Sequence, residues 1–290
     1  IMKILIFGAS GMLGNNLFNI FSEKTNFETY GVVRNKKKIN NMSKYSKNLK
    51  EISDVRNYEE ISRVSEKISP DVIINCVGII KQREDIDDKT QTIQINSLLP
   101  HLLLNISKNV GAKFIHFSTD CVFSGKEGNY TEKHSPDAED IYGLSKRLGE
   151  INDEGALTLR TSIIGHELDT KKSLIDWFLS QKRIVKGFKN AIFSGLTTTE
   201  ISKVLENIIL NNDDLEGLFH LSVNPINKFD LLKLVAEIYK KEIKIIEDNH
   251  VIIDRSLNSS NLRSITGYNP PSWRELITEL NQFYNEKFKK

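Results

Sequence analysis

An α/β fold is predicted, a doubly wound parallel sheet with a smaller, partly interleaved C-terminal α/β lobe, and three observations predict it. A short apolar run, Ile4 to Phe7, ends in Gly8-Ala9-Ser10-Gly11-Met12-Leu13-Gly14, with glycines three apart where a buried strand would turn into a helix. Apolar runs of strand length then alternate with helical periodicity through the first half, which implies parallel strands covered on both faces. At 290 residues the chain can bury such a core and still carry a second lobe.

Strands are expected at 3–7, 27–33, 49–53, 72–77, 113–118 and 156–163, with helices at 11–22, 58–68 and 90–109 between them. Beyond about residue 165 the alternation loosens. A helix at 174–182, a strand at 191–194 and a helix at 198–210 precede a strand, helix and strand at 217–223, 228–240 and 242–247. Short helices around Pro270-Pro271 end the chain. The polar stretch 36–50 reads as a surface loop. The expected division is a cofactor domain over 1–165, with returns near 190–212, and a substrate lobe over 166–290.

Composition excludes several classes. Charged residues make up 27% with a net charge of +2, so no global field favours nucleic acid. Cys76 and Cys121 lie in apolar runs and cannot build a disulfide framework, which points to a reducing compartment. The sequence opens on strand residues with no signal peptide, and no apolar run reaches the roughly 18 residues of a membrane span. A soluble cytoplasmic chain without a membrane partner is the expectation. His101, His116, His134, His220 and His250 show no ligand spacing, so no metal site is expected.

Ligands of doubly wound sheets bind outside the carboxyl ends of the strands. Gly8, Arg34, Asp54, Gly78, Ser118-Thr119 and the residues after Arg160 all fall at such ends. The glycine turn lets backbone N–H groups approach a pyrophosphate at the positive end of a helix. Tyr142-Gly143-Leu144-Ser145-Lys146 sets a phenol and an ammonium four residues apart, on one helix face. A ketone reduced by hydride develops negative charge on its oxygen and needs a proton donor there. Tyr142 is that donor; its phenol, with an ordinary pKa of about 10, is activated by the Lys146 charge. Thr119 closes the fifth strand and is placed to hydrogen-bond the same oxygen.

The Gly-x-x-Gly-x-x-Gly spacing with the downstream Tyr-x-x-x-Lys resembles the extended short-chain dehydrogenase/reductases. The resemblance implies a Rossmann-type cofactor domain in which Gly8, Ser10, Gly11, Met12, Leu13 and Gly14 receive the cofactor. Arg34, followed by Asn35 and Lys36–Lys38, stands where an NAD enzyme offers a carboxylate, and a guanidinium suits the 2′-phosphate of NADP(H); a solvated charge run is the alternative. Asp54-Val55 resembles the family's adenine-contacting pair, or Asp54 caps a helix. Asn75-Cys76-Val77-Gly78 resembles its Asn-x-x-Gly segment, with Cys76, Val77 and Gly78 against the cofactor. Asn96 matches an asparagine that orders the active-site lysine, or is a buried structural one. Lys146 would also hold the nicotinamide ribose.

A narrower resemblance rests on Ser118-Thr119-Asp120-Cys121-Val122-Phe123-Ser124-Gly125, on Tyr130-Thr131-Glu132, Pro136 and Tyr142 to Glu150, on Leu159 to Ser162, and on Arg255 to Ser259 with Pro271-Ser272-Trp273. These look like the dTDP-4-dehydrorhamnose reductase branch, with Cys121 replacing an aromatic residue. The resemblance implies NADPH-dependent reduction of a nucleotide-linked 4-keto-6-deoxy sugar for polysaccharide assembly. Ser118, Cys121 and Arg255 are then substrate-contact candidates. Related epimerase-reductases keep a catalytic cysteine at the Cys121 position with a histidine acid, for which His166 is a poor match; a small pocket-lining side chain is the plainer reading. A non-catalytic NADP-binding regulatory subunit is the further alternative, since the branch includes such members. Lys182, Arg183, Lys186 and Arg255 could meet a diphosphate, and Trp177 and Phe178 could stack on a base or fill the core. Helices at 90–109 and 141–152 are the expected surfaces of a homodimer.

Overall fold

The computed structural model describes residues 1–35, 44–81, 86, 88–168 and 171–288, so the basic run Lys36–Lys38 lies outside the described residues. The chain divides into two compact units. The first comprises Ile1–Ser118, Glu139–Leu159 and Asp214–Leu218; the second comprises Thr119–Ala138, Arg160–Asp213 and Phe219–Lys290. The segment 119–138 thus groups with the second unit, and the return lies at 214–218 rather than near 190–212. The returning segment leads into an edge strand of the first sheet, whereas the helix at 198–211 packs within the second unit.

In the first unit β1 (Met2–Phe7) leads through the glycine turn into α1 (Met12–Phe21). Then come β2 (Phe27–Val33), β3 (Leu49–Glu51), α2 (Tyr58–Ile68) and β4 (Val72–Asn75). After them lie α3 (Lys89–Ile93), α4 (Leu99–Val110), β5 (Lys113–Thr119), α5 (Ile141–Leu148) and β6 (Ala156–Thr161). The strand Gly217–His220 completes a seven-stranded sheet, ordered from that strand through β6, β5, β4, β1 and β2 to β3. β1 runs parallel to both β2 and β4, with Phe7 opposite Val32 and Asn75. The chain therefore winds outward in both directions from β1 and β4, and a crevice opens where the winding reverses. Ile4 to Phe7 are fully buried, and Leu5, Phe7, Ile73, Leu103 and Phe114 share one core.

The helix predicted at 90–109 is broken. A π-turn at Gln94–Leu98 separates α3 from α4. Such widened turns often mark functional positions, and this one carries Asn96, which is fully buried.

The second unit holds β7 (Ile163–Ile164), α6 (Leu174–Ser180), β8 (Ile184–Phe188), β9 (Ala191–Phe193), β10 (Leu196–Thr197) and α7 (Thr198–Asn211). Beyond the shared strand β11 (Gly217–His220) follow β12 (Ile226–Asn227), α8 (Lys228–Ile238), β13 (Lys244–Asp248) and β14 (Ile253–Asp254). The last elements are α9 (Ser260–Thr266) and α10 (Trp273–Phe288). Three small sheets form here, β7 with β10, β9 with β12 and β14, and β8 with β13. The strands at 184–188 and 253–254 escape the sequence reading because they are short or carry charges that suggest loop. The chain ends in a 16-residue helix rather than in short ones, because Leu276, Ile277 and Leu280 give it a buried stripe.

Candidate active site

The glycine turn follows from backbone demands. Gly8 has φ +82°, in the left-handed region. A Cβ on Gly14 would lie 2.2 Å from the Gly8 carbonyl oxygen, so α1 can pack onto the turn only without a side chain there. Gly11 caps α1 without a side-chain hydrogen bond, and no acidic residue occupies the first turn. Its N–H groups are therefore left to a ligand, and an anion suits that helix end. A Cβ on Gly8 would crowd the Cys76 backbone at 3.0 Å, so the loops after β1 and β4 meet across the crevice. These residues fit a dinucleotide, whose phosphates would rest on the turn.

Arg34 and Asn35 are exposed just after β2. Asp54 does not cap a helix; Asn57 caps α2 by accepting from the Glu60 N–H. The Asp54 carboxylate instead takes Arg56, with Nε at 3.0 and 2.9 Å from its two oxygens, and Arg56 also donates to Gln94 at 3.2 Å. Arg56 first, and Arg34 further off, hold Asp54 below the usual carboxylate range. Arg56 is a second guanidinium beside Asp54 that sequence reasoning missed.

Asn75 fixes the segment after β4. Its Oδ1 accepts from the Val77 N–H at 3.0 Å, which leaves its Nδ2 to face His116 Nδ1 at 3.2 Å. The His116 proton therefore sits on Nε2, a buried atom with no partner among the described residues. Burial, then the Lys146 charge, keeps this imidazole neutral, and burial pushes the Cys76 thiol well up.

Asn96 resolves as a clasp. Its Oδ1 accepts from the Ile79 N–H at 2.8 Å, and its Nδ2 donates to the Ile79 carbonyl at 3.0 Å and to Ser145 Oγ at 3.1 Å. It thus ties the loop following Gly78 to α5, one residue from Lys146. A Cβ on Gly149 would fall 2.0 Å from the Asn96 carbonyl oxygen, so the end of α5 must be glycine to pack here.

Tyr142 and Lys146 lie on α5, whose first turn is capped by Asp140 accepting from the Gly143 N–H at 3.0 Å. Asp140 also pairs with Lys81 at 2.7 Å, and the Lys81 ammonium lies 5.8 Å from the Tyr142 ring centre. Lys81 is a cation beside the phenol that no motif announced, though an aspartate just before Tyr-x-x-x-Lys is a visible cap signal. Lys146 is 6% exposed, and its Nζ donates to the Phe117 carbonyl at 2.7 Å. Burial brings its ammonium down to about 8, against the pull of Glu150 and Cys76. Ser118 is turned from an open site, since its hydroxyl donates to Glu150 at 2.7 Å.

In the second unit, Thr119 caps a 3-10 turn at Asp120–Val122. Its hydroxyl accepts from the Cys121 N–H at 3.1 Å and donates to Asp120 at 3.2 Å. Asp120 is 5% exposed, and burial raises its pKa against the charges of Lys228 and Arg255 and a hydrogen bond from Cys121. A thiol tied to a carboxylate is poorly placed to become a thiolate base. Arg255 donates from Nε to the Phe123 carbonyl at 2.8 Å.

The second unit holds the remaining candidates. Arg160 is buried, with its guanidinium 3.2 Å from His220 and stacked over Phe123. His166 is held by Asp176 at 2.6 Å and Tyr239 at 2.8 Å and stacks on Tyr284. Phe178 is fully buried core while Trp177 is exposed, and Lys186 pairs with Asp248 at 3.0 Å. Among the described residues no three His, Cys, Asp or Glu side chains are grouped to hold a metal, and no helix is long and apolar enough to cross a membrane.

The glycine turn, the Asn75 and Asn96 anchors and the buried lysine one turn from a tyrosine describe one kind of catalyst, and the family model described as RmlD substrate binding domain matches residues 2–285. The chain belongs to the RmlD substrate binding domain family. A dTDP-4-dehydrorhamnose reductase of Escherichia coli K12 is 26% identical over 301 residues, covering 99% of this chain and 91% of that protein. The methionine adenosyltransferase 2 subunit beta of Danio rerio is 25% identical over 252 residues, covering 82% and 74%. The crystal structure of the Bacillus anthracis dTDP-4-dehydrorhamnose reductase in complex with NADP superposes with a TM-score of 0.79 at 20% identity, covering 98% of this chain and 99% of that one. The fold of this family member is thus that of a nucleotide-sugar reductase.

Proposed function

We propose that this family member is an NADPH-dependent reductase that converts the ketone of a nucleotide-linked 4-keto-6-deoxy sugar into an alcohol for polysaccharide precursor assembly. The observation that carries the reading is the Tyr142–Lys146 face of α5, where a phenol is followed one turn on by a buried ammonium held at the Phe117 carbonyl. The family match over residues 2–285, with a relative named for dTDP-4-dehydrorhamnose reduction, supports the substrate class.

Bound NADPH supplies the hydride. Tyr142 gives its hydroxyl proton to the ketone oxygen as the carbon–oxygen double bond opens, and the Lys146 charge stabilises the phenolate left behind. Thr119, the residue after Ser118 on β5, offers a second hydrogen bond to that oxygen once its hydroxyl turns away from Asp120. Gly8, Ser10, Gly11, Met12, Leu13 and Gly14 hold the pyrophosphate, and Arg34 with Asn35 holds the 2′-phosphate. Asp54 and Val55 flank the adenine, and Cys76, Val77 and Gly78, anchored through Asn75 and Asn96, support the nicotinamide half. The first unit is then the cofactor domain and the second the substrate domain of a cytoplasmic enzyme. Exposed Ile93, Leu98, Leu144 and Leu148 support self-association through α3, the π-turn and α5.

The likeness to a methionine adenosyltransferase subunit favours a second reading, an NADP-binding chain that serves a partner enzyme without turnover. Incubating the protein with NADPH and dTDP-, UDP- or GDP-linked 4-keto-6-deoxyhexoses, and following the loss of NADPH absorbance, separates the two. Turnover that falls by about 10²–10⁴-fold in Tyr142→Phe is the expected result. A Tyr142→Phe variant at full rate overturns the assignment, and tight NADP binding with no turnover on any sugar favours the subunit reading.

A further inference from the structure

Lys228 is a cation whose ammonium meets an aromatic ring rather than a hydrogen-bond acceptor. It is the first residue of α8, the end of a helix that repels a cation. Its ammonium lies 3.4 Å from the centre of the Phe193 ring. Among the described residues it donates no hydrogen bond and closes no ion pair, although an ammonium carries three donors. Asp120 and Cys121 act on it only through their charge, and burial brings it down to about 8. An aliphatic side chain could cover Phe193 without the cost of a half-buried cation. A group kept under such unfavourable electrostatics is a candidate for ligand contact.

The neighbours identify the ligand chemistry. Asp120 is buried and feels the Lys228 charge, yet the two stand further apart than an ion pair. A cation and a carboxylate that attract across such a gap suit a hydroxyl group, which accepts from one and donates to the other. A diphosphate would instead be repelled by Asp120. Asp120 directly follows Thr119, the residue assigned to the ketone oxygen, so the gap lies near the sugar's reacting carbon rather than the nucleotide.

We propose that Lys228 is a substrate-binding residue that, with Asp120, grips a hydroxyl of the hexose beside the keto carbon and so selects sugars that carry one there. The proposal rests on the reductase reading. The Phe193 ring holds the ammonium from one side, and the hydroxyl supplies the acceptor that the described residues do not.

Lys228→Met keeps the length and apolar packing of the side chain and removes the charge. Calorimetry compares dTDP with dTDP-L-rhamnose, and UDP and GDP with their 6-deoxyhexose conjugates, on NADP-loaded protein, wild type and variant. The affinity that the sugar adds over the bare nucleotide is expected to fall by about 10- to 100-fold in the variant, with binding of the nucleotide and of NADP unchanged. The Tm is expected at or above that of the wild type, because the half-buried cation at the helix start is gone; a merely structural lysine would lower it. A variant that keeps the full sugar contribution, or that loses stability and all ligand binding together, overturns the proposal while leaving the reductase reading intact. A wild type that binds NADP yet gains nothing from any sugar overturns both.

Discussion

The pH dependence of stability carries a direct reading of how deeply the active-site lysine is desolvated. The ordinary ammonium value of 10.5 falls to about 8 for Lys146, chiefly through burial. Such a fall disfavours the charged form by about 3 kcal/mol. The unfolded chain keeps this proton up to 10.5, whereas the folded chain releases it near 8. Between those values the unfolded state binds more protons, so stability rises with pH. The penalty is present in full below pH 8 and is lost as pH climbs towards 10.5. In Lys146→Met the penalty is absent at every pH, but the Phe117 carbonyl loses its donor, at about 1–3 kcal/mol. The variant is therefore expected to be as stable as the wild type at pH 7 or up to about 2 kcal/mol more so, while reduction is abolished. Its advantage should shrink by about 2.5 kcal/mol between pH 7 and pH 10, as the wild type sheds the proton. Lys228 titrates in both chains and drops out of the difference. Urea unfolding of both proteins at each pH, followed by circular dichroism, measures it. Two stability curves that stay parallel from pH 7 to 10 would refute a desolvated ammonium at Lys146.

Two further outcomes follow from the cofactor loop. Gly14→Ala places a methyl 2.2 Å from the Gly8 oxygen and must push α1 off the turn, so a loss of about 1–3 kcal/mol in unfolding free energy and of NADP binding is expected; thermal shift with and without NADP reads both, and an unaltered NADP-induced shift contradicts it. Arg34→Ala is expected to weaken NADPH by about 10-fold or more while leaving NADH unchanged, the loss of one charge-assisted contact; fluorescence titration with both cofactors checks it, and equal weakening of the two contradicts a 2′-phosphate contact.

What the sequence exposes here is what depends on residue type at fixed spacing. Gly8 and Gly14 can be read without coordinates, because only glycine tolerates the turn and the close helix. Tyr142 and Lys146 can be read because four residues make one helical turn. The environment of each group is not readable in that way. Asp54 satisfies either a cap or a ligand on paper, and the local turn decides by laying Arg56, two residues on, against its carboxylate. Asn96 sits inside a run that scores as plain amphipathic helix; the π-turn that aims its amide at Ile79 and Ser145 has no periodic signature. Phe178 and Trp177 are neighbours of similar character, and the helical phase that buries one and exposes the other is set by the partner elements.

Lys228 shows the same boundary from the other side. In sequence it is one lysine among many in a chain with 40 basic residues, and nothing in Ile226-Asn227-Lys228-Phe229 distinguishes it. Its meaning comes from a mismatch between local rule and position: a cation at the start of a helix, against an aromatic ring, without an acceptor among the described residues. Lys146 shares the desolvation but has the Phe117 carbonyl as acceptor, which fixes its direction whether or not substrate is present. The two lysines titrate near the same value by the same cause, yet among the described residues only Lys146 donates its ammonium to a protein acceptor. A catalytic ammonium has to be in place before the reaction, so an anchored lysine suits proton chemistry. An unanchored one gains its hydrogen bonds only from what enters, which is the property of a group that discriminates among substrates.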